Sequence, residues 1–231
     1  MHRDLRDSAA HVFVDAIDEP SLVSGDEHHL IRVLRLRDGD RVSASDGNGR
    51  WRPCVMRSGA LEVAGAVAEG EPARQCAVGA AIPKGDRLDW MVQKLTEVGV
   101  QRIVLLESDH SVVRWDPARA ARQLERLQRI AREAAAQSRR CRLPVIEGPA
   151  PYGAVIAEAG AAIADPDGPP LAAGPARGPL LIGPEGGWSA AERSAASQAG
   201  AAVVSLGATV LRVETAAVVA AALMMSASGI R

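Results

Sequence analysis

The 231-residue sequence lacks the features that direct a chain to a membrane or to an oxidising compartment. No apolar run approaches the roughly 20 residues that a membrane-spanning helix needs. The first residues mix acidic and basic side chains without an apolar core, unlike a secretory leader. The three cysteines, Cys54, Cys76 and Cys141, are odd in number and far apart, so they form neither a disulfide framework nor a metal-binding motif. We therefore expect a cytoplasmic protein that does not enter a membrane.

The short motifs of common nucleotide and metal sites are also missing. The sequence contains no Gly-x-Gly-x-x-Gly after a strand, no P-loop, no Gly-x-Ser-x-Gly and no His-Glu-x-x-His. Its five histidines lack metal-ligand spacing, and the neighbours His28 and His29 would point apart on a helix. These absences exclude an ordinary Rossmann dinucleotide site and a zinc-protease helix, and we expect no bound metal.

Lysine is scarce, since only Lys84 and Lys94 are lysine among the 27 basic residues. The net charge of −1 provides no bulk electrostatic reason for binding nucleic acid. Residues 71–150 nevertheless carry 14 basic and 10 acidic side chains, and this excess ends in the cluster Arg139, Arg140 and Arg142. On charge alone the cluster is typical of a solvated helix face, and RNA contact is the alternative.

Residues 11–68 show the short apolar or alternating runs of β-strands. Such runs cover residues 12–14, 41–44, 51–56 and 61–66. Asp46-Gly47-Asn48-Gly49 separates two of them and predicts a tight hairpin, because the later ligands of a calcium loop are missing.

One stretch in this part, residues 26–37, has helical periodicity. The spacing predicts a buried stripe of Leu30, Val33 and Leu34. His29, Arg32 and Arg35 recur every three residues on another face. A small β-barrel with one inserted helix is the expected architecture.

After Gly70 the pattern changes to alternating strands and helices, which predicts an α/β domain. The strands are predicted over residues 76–82, 103–107, 161–164, 180–182 and 203–206, and the helices over 86–98, from 117 onward, 189–200 and 214–226. The closing helix is so apolar that we expect it to be buried against the sheet or against a second subunit.

Two glycine-bearing loops follow the last two predicted strands. In Gly183-Pro184-Glu185-Gly186-Gly187 the glycines allow the backbone to approach a ligand closely, and the next helix offers free N–H groups. The second loop, Leu206–Arg212, combines apolar side chains with exposed backbone, which suits a flat heterocycle. The alternative interpretation is an ordinary turn, with Arg212 and Glu214 as a salt bridge at a helix start.

Together the two loops resemble those of the ribosomal RNA small subunit methyltransferase E family, SPOUT enzymes that methylate N3 of a uridine in 16S rRNA. The resemblance rests on Gly183–Gly187, on Leu206-Gly207 and on Leu211-Arg212-x-Glu214-Thr215-Ala216. Lys84–Trp90, with Gln93-Lys94 and Glu97-x-Gly99, is similar to the first helix of the family's second domain. Further similarity covers residues 28–35, 111–114 and 133–140, so it spans nearly the whole chain.

The resemblance implies a fold, a cofactor and partners. It implies a PUA-like RNA-binding β-barrel over residues 1–69 and an α/β SPOUT domain over 70–231, with a mostly parallel sheet and a deep trefoil knot. It also implies S-adenosylmethionine as cofactor, 16S rRNA or the small ribosomal subunit as partner, and a homodimer through the C-terminal domain.

The resemblance further assigns the site residues. The expected cofactor-binding residues are Ala164, Ile182, Gly183, Glu185, Gly186, Gly187, Leu206, Gly207, Val210, Leu211 and Arg212. The expected catalytic residues are Arg212, Glu214 and Glu185, with the general base left open among them. The expected RNA-binding residues are His29, Arg32, Arg35, Arg139, Arg140 and Arg142.

The sequence departs from the family pattern at several positions. His11 stands in a segment that the family begins with arginine followed by aromatic residues, and Thr209 replaces an arginine of the second loop. Trp188 replaces the commoner phenylalanine, and Ala136-Gln137-Ser138-Arg139-Arg140 replaces Glu-Gln-Ser-Gly-Arg. Two other functions stay open: a knotted methyltransferase that acts on transfer RNA, and a non-catalytic RNA-binding assembly factor.

Overall fold

A computed structural model describes residues 2–22, 30, 32, 34–72, 75–171 and 178–226. The chain divides into two compact units. The first comprises Met1–Ala73 and Arg132–Leu143, and the second comprises Arg74–Ala131 and Pro144–Arg231. In the described ranges no helix is both long enough and apolar enough to span a bilayer.

The first unit is built on a five-stranded sheet. Its elements are α1 (Arg3–Arg6), β1 (Ala10–Phe13), β2 (Arg41–Ser45), β3 (Arg50–Arg57), β4 (Ala60–Val63) and β5 (Ala68–Glu69). The strand order is β1-β2-β3-β4, with β5 also on β3, and β1 is parallel to β2 while the other pairs are antiparallel. Ser45 pairs with Trp51 across the predicted hairpin, which is therefore confirmed.

The predicted helix over 26–37 is only partly within the described residues, since 23–29, 31 and 33 lie outside them. Leu30 is buried at 2% exposure, as the stripe predicted. The placement of Leu34 in that stripe is wrong, because Leu34 is 45% exposed. Directly after it, Arg35 has φ 56, a left-handed conformation with which a right-handed helix cannot continue.

Residues 132–143 belong to the first unit by their contacts, although the sequence interpretation assigned them to the second domain. The Glu71 carboxylate accepts hydrogen bonds from the backbone N–H groups of Cys141 and Arg142. The Ser45 hydroxyl donates to the Cys141 carbonyl at 3.0 Å. Sequence periodicity carries no information on such long-range backbone bonds, so this return segment could not be predicted.

The second unit contains a six-stranded sheet that is parallel throughout. Its strands are β6 (Ala77–Ala81), β7 (Arg102–Glu107), β8 (Val145–Pro151), β9 (Ala162–Ala164), β10 (Leu180–Ile182) and β11 (Ala202–Val204). The order is β11-β9-β10-β6-β7-β8. The predicted α/β class with a mostly parallel sheet is confirmed.

Helices cover both faces of this sheet. They are α2 (Arg87–Val98), α3 (Pro117–Gln137), α4 (Tyr152–Ile156), α5 (Ala190–Gln198) and α6 (Val213–Ser226). Leu180 and Ile182 pack with residues of α2 and α6, whereas Leu181 packs with residues of α4 and α5. Neighbouring residues of a strand point to opposite faces, so a strand covered on both sides is a continuous apolar run.

Sequence signals fixed most helix boundaries correctly. Gly99 ends α2 with φ 111, Asp116 accepts the Arg119 N–H at the start of α3, and Ser189 begins α5 with a capping box. Strand β8 and helix α4 were not predicted, because Val145–Pro151 contains two prolines and a glycine and does not alternate.

The apolar helix α6 is buried within its own unit. It packs on α2, β6 and β10, and most of its alanines are buried together with Met224. The sheet and α2 therefore cover one face of α6, whereas Val218, Val219 and Leu223 stay partly exposed and Ala222 is exposed. A second subunit on that face stays a prediction.

Candidate functional site

A cavity of about 330 Å³ opens at the carboxyl ends of β9, β10 and β11. These three strands are neighbours and parallel, so the loops that follow them meet at one edge of the sheet. The lining residues are Ala164, Asp165, Pro166, Ile182, Gly183, Pro184, Glu185, Gly187, Trp188, Arg193, Ser205, Leu206, Gly207, Thr209, Val210, Leu211, Arg212, Val213 and Ala216.

The glycine-rich loop Gly183–Gly187 forms one wall of the cavity. Gly183 lies against the indole of Trp188, and a Cβ at this position would be 3.0 Å from Cε2 of that ring. Gly187 has φ 69 and donates its N–H to the Pro184 carbonyl at 2.8 Å, which closes a tight turn. The positive φ of Gly187 therefore favours glycine, and a side chain at Gly183 would press against the indole.

The second loop, Leu206–Arg212, also lines the cavity. Gly207 has φ 137, a backbone conformation that side-chain-bearing residues rarely adopt. Leu206 and Leu211 are half-buried and pack on the core, whereas Val210 is 94% exposed. The apolar surface of this loop thus comes from its two leucines and from the backbone.

Two carboxylates line the cavity. Asp165 is buried at 3% exposure and forms an ion pair with Arg193, whose side chain is 47% exposed. Glu185 lies in the glycine-rich loop with half of its side chain exposed. Because Asp165 is buried, Glu185 is the more accessible carboxylate of the cavity.

Glu214 lies at the start of α6, is buried, and is absent from the cavity lining. Arg87 stands between it and Glu185, with Nη1 3.3 Å from Glu185 Oε1 and 3.6 Å from Glu214 Oε2. The two glutamates predicted as alternatives for one role therefore occupy different environments.

The segment after β7 supports the glycine-rich loop. His110 Nδ1 lies 3.1 Å from the Gly186 carbonyl and 3.0 Å from that of Gly187. Since carbonyl oxygens only accept, this nitrogen must carry the proton. Glu192 accepts the Asp109 N–H at 3.0 Å and the Ser189 N–H at 2.8 Å, and so ties α5 to the same segment.

Nearly all the residues that were assigned to the cofactor converge on the cavity. Its lining includes Ala164, Ile182, Gly183, Glu185, Gly187, Leu206, Gly207, Val210, Leu211 and Arg212. Gly186 is not among the lining residues, and its carbonyl is engaged by His110 instead. Binding by these residues stays a prediction.

The predicted RNA-binding residues of the first unit differ in accessibility. His29 lies outside the described residues, whereas Arg32 and Arg35 are exposed. Because Arg35 has left-handed backbone, these two arginines are not spaced along a regular helix.

The cluster Arg139, Arg140 and Arg142 is occupied by contacts within the first unit. Arg139 donates to the Ser8 carbonyl at 2.8 Å, and burial lowers its pKa. Arg140 is 7% exposed, and Nε lies 3.7 Å from a Glu71 oxygen. Arg142 donates to the carbonyls of Glu71 and Asn48. The geometry gives this cluster a structural role, and its contact with RNA stays a prediction.

His11, the departure from the family pattern in the first unit, is buried at 4% exposure. Its Nδ1 lies 2.8 Å from the Ser43 hydroxyl and its Nε2 lies 3.0 Å from the Arg140 carbonyl. Burial, with a contribution from the Arg139 charge, lowers its pKa to about 4. His11 is therefore a neutral residue of the interior.

Sequence reasoning missed Asp165 and Arg193 of the cavity lining, and Arg87, which contacts Glu185 of that lining. Asp165 directly follows β9, so the rule that loops after adjacent parallel strands meet could have found it. Arg193 and Arg87 lie on helices, and only the tertiary structure brings them to the site. In the described ranges no cluster of three or more histidine, cysteine or acidic side chains could hold a metal ion.

Comparison with known proteins identifies the family. Residues 70–225 match the model of an RNA methyltransferase domain, and residues 26–59 match that of an RNA methyltransferase PUA domain. The chain is 34% identical over 230 residues to ribosomal RNA small subunit methyltransferase E of Mycobacterium bovis, covering 90% of this chain and 88% of that protein.

Solved structures of methyltransferases are similar to this chain in fold. The crystal structure of a probable rRNA-methyltransferase from Porphyromonas gingivalis superimposes with a TM-score of 0.73 at 32% identity, covering 92% of this chain and 95% of that one. A Legionella pneumophila protein described as a methyltransferase, solved with the cofactor SAM bound, has a TM-score of 0.79 at 25% identity, covering 94% and 97%.

Proposed function

The chain belongs to the ribosomal RNA small subunit methyltransferase E family and is an rRNA methyltransferase, and we propose that it transfers the methyl group of S-adenosylmethionine to N3 of a uridine in 16S rRNA. The observation that carries the proposal is the cavity formed by the loops after β9, β10 and β11. We further propose that the reaction takes place in the cytoplasm, on 16S rRNA or on the small ribosomal subunit.

The cavity suits S-adenosylmethionine in size and in chemistry. Its volume of about 330 Å³ lies at the lower end of the range for small-molecule sites. Ile182, Leu206 and Leu211 supply an apolar surface for a flat base, and the glycines Gly183 and Gly207 expose backbone to polar groups. The cofactor supplies an electrophilic methyl group on a positively charged sulfur.

Asp165 and Glu185 supply negative charge for a cationic ligand. Asp165 is buried and held by Arg193, so it offers a fixed carboxylate at the end of β9. Glu185 is half exposed and lines the cavity from the glycine-rich loop after β10. A site with two carboxylates fits a ligand that carries an ammonium and a sulfonium group.

Uracil N3 carries a proton at neutral pH, which must leave before or during attack on the methyl group. A carboxylate can accept this proton. Among the predicted candidates Glu185 is the better placed, since it lines the cavity while Glu214 is buried outside it. Arg212 is exposed at the cavity and can stabilise the negative charge that develops on the uracil ring.

Three finer features belong to this proposal. The family resemblance supports a trefoil knot in the C-terminal region, a homodimer through the C-terminal domain and a barrel form of the PUA domain. The exposed Arg32 and Arg35 are the proposed phosphate contacts of that domain. Light scattering of the purified chain at micromolar concentration tests the homodimer, and a monomeric mass would contradict it.

Mass spectrometry of nucleosides tests the reaction. The purified chain and S-adenosylmethionine are incubated with unmodified small subunits, naked 16S rRNA or transfer RNA. We expect 3-methyluridine in 16S rRNA, and we expect Glu185→Gln to reduce its formation by about 100-fold or more. Methylation of transfer RNA alone would favour the knotted transfer RNA enzyme. RNA binding with no methylation of any RNA would favour the assembly factor.

A further inference from the structure

We infer that Arg87 is a positioning residue of this site, which holds the Glu185 carboxylate at the cavity while it balances the buried charge of Glu214. The inference deepens the proposed function and rests on it, because it gives Arg87 a role toward the proposed cofactor cavity. It is carried by one guanidinium group that two carboxylates share, one from the glycine-rich loop and one from the first turn of α6.

The sheet topology explains why the three residues meet. Strand β6 lies beside β10, with Ala80 opposite Ile182, so the loops that follow these two strands are neighbours. Arg87 begins α2 shortly after β6, and Glu185 follows β10. Helix α6, which carries Glu214 in its first turn, packs on both strands and on α2.

The guanidinium is also anchored within its own turn of the chain. Arg87 Nε donates to the Lys84 carbonyl at 3.0 Å. Nη1 donates to Glu185 Oε1 at 3.3 Å, and its 3.6 Å separation from Glu214 Oε2 is an ion-pair contact beyond hydrogen-bond range. The orientation of the group therefore depends on its own turn and on both carboxylates.

Glu214 makes this arrangement necessary. Its side chain is 8% exposed, and its Oε2 atom has no hydrogen-bond partner within the described part of the chain. A buried carboxylate without a nearby cation is strongly destabilising, and the start of a helix compensates only part of the charge. Arg87 supplies the opposite charge, so Glu214 holds Arg87 in place whether or not a ligand is bound.

Glu185, by contrast, has a side chain that is 51% exposed. An exposed glutamate occupies many rotamers, and an isolated surface ion pair does little to restrict it. Because Glu214 immobilises Arg87, the bond from Nη1 restricts Glu185 more than a mobile arginine would. The shared cation thereby holds the Glu185 carboxylate at a defined place in the cavity lining.

Calorimetry with S-adenosylmethionine and thermal unfolding of the free protein test the inference. Arg87→Gln should raise the Kd roughly tenfold and lower the Tm by several degrees. Arg87→Lys keeps the positive charge beside Glu214, so it should nearly retain the Tm. It lacks the planar guanidinium with several N–H donors, so the Kd should still rise. Arg122→Gln, a change of an exposed arginine on α3, is the matched control and should alter neither quantity.

Two double variants separate the roles of Arg87. Adding Glu214→Gln to Arg87→Gln should restore most of the Tm but not the Kd. Adding Glu185→Gln should raise the Kd no further than the stronger single change, because the two residues act as a unit. If Arg87→Gln is too unstable to purify, the Kd for S-adenosylmethionine is measured with Arg87→Lys instead.

Several results would overturn the inference. One is a wild-type Kd in the Arg87 variants, and another is additive effects of Arg87→Gln and Glu185→Gln on the Kd. The third is recovery of both Kd and Tm when Glu214→Gln is added to Arg87→Gln. A wild-type chain that does not bind S-adenosylmethionine would instead refute the proposed function. In that case the Tm measurements still decide whether Arg87 and Glu214 are coupled.

Discussion

Trp188 donates its indole N–H to the carbonyl oxygen of Ala164 at 2.9 Å, which joins the glycine-rich loop to the end of β9. A phenylalanine, the commoner residue at this place in the family, cannot make this bond. The indole also lies against Gly183 and 5.0 Å from the ring of Tyr152, and Trp188 lines the cavity.

We therefore predict that Trp188→Phe costs about 1–3 kcal/mol of unfolding free energy, since it leaves a carbonyl unsatisfied and removes ring contacts. Affinity for S-adenosylmethionine should decrease with it. Denaturant unfolding and calorimetry check both effects. Trp90→Phe is the control, because Trp90 is 44% exposed. Equal stability of the two variants would contradict the prediction.

A valine at Gly207 should abolish measurable binding of S-adenosylmethionine while the fold survives. Gly207 has φ 137 at the cavity, and a side chain there forces the second loop into another conformation. Gly200→Val is the matched control, because Gly200 also has positive φ and free space around it but lies outside the cavity lining. Undiminished calorimetric affinity in Gly207→Val would refute the proposed site.

Gly183→Val should also abolish binding, for a steric reason. A Cβ at Gly183 would be 3.0 Å from the Trp188 ring, which must then move. We expect loss of calorimetric affinity together with a change in the near-ultraviolet circular dichroism of the tryptophans. Retained affinity in this variant would show that the loop tolerates the displacement and does not contact the cofactor.

The buried His11 should make stability depend on pH. Its pKa is lowered from 6.5 to about 4, so between these values the unfolded chain binds a proton that the folded chain excludes. The unfolding free energy should therefore be highest above pH 6.5 and fall by up to about 3 kcal/mol as the pH decreases toward 4. His11→Gln should remove this component from urea titrations at several pH values, and an unchanged pH dependence would contradict it.

Arg32→Ala combined with Arg35→Ala should weaken binding of ribosomal RNA. It should also reduce the slope of log K against log salt concentration by about one for each lost phosphate contact. Calorimetric affinity for S-adenosylmethionine should stay unchanged. Arg3→Ala is the control, because Arg3 is exposed in the same unit. If the double variant retains wild-type affinity and salt slope, these arginines do not contact RNA.

The sequence by itself determined the elements that depend on neighbours along the chain. The hairpin at Asp46–Gly49, the C-terminal glycine of α2 and the capping box of α5 follow from local turn and cap chemistry. The two glycine loops that line the cavity are also marked by local signals, short apolar strands followed by glycines, and their binding of the cofactor stays a prediction.

Only the tertiary structure decided which side chains of distant segments meet. Charge counting could not distinguish an exposed arginine from Arg140, whose partner Glu71 is far away in sequence. Nor could it distinguish Glu185 at the cavity from Glu214, which is buried beside it with Arg87 between them. Burial and long-range pairing set the properties of these charges, and both arise from packing that no local pattern encodes.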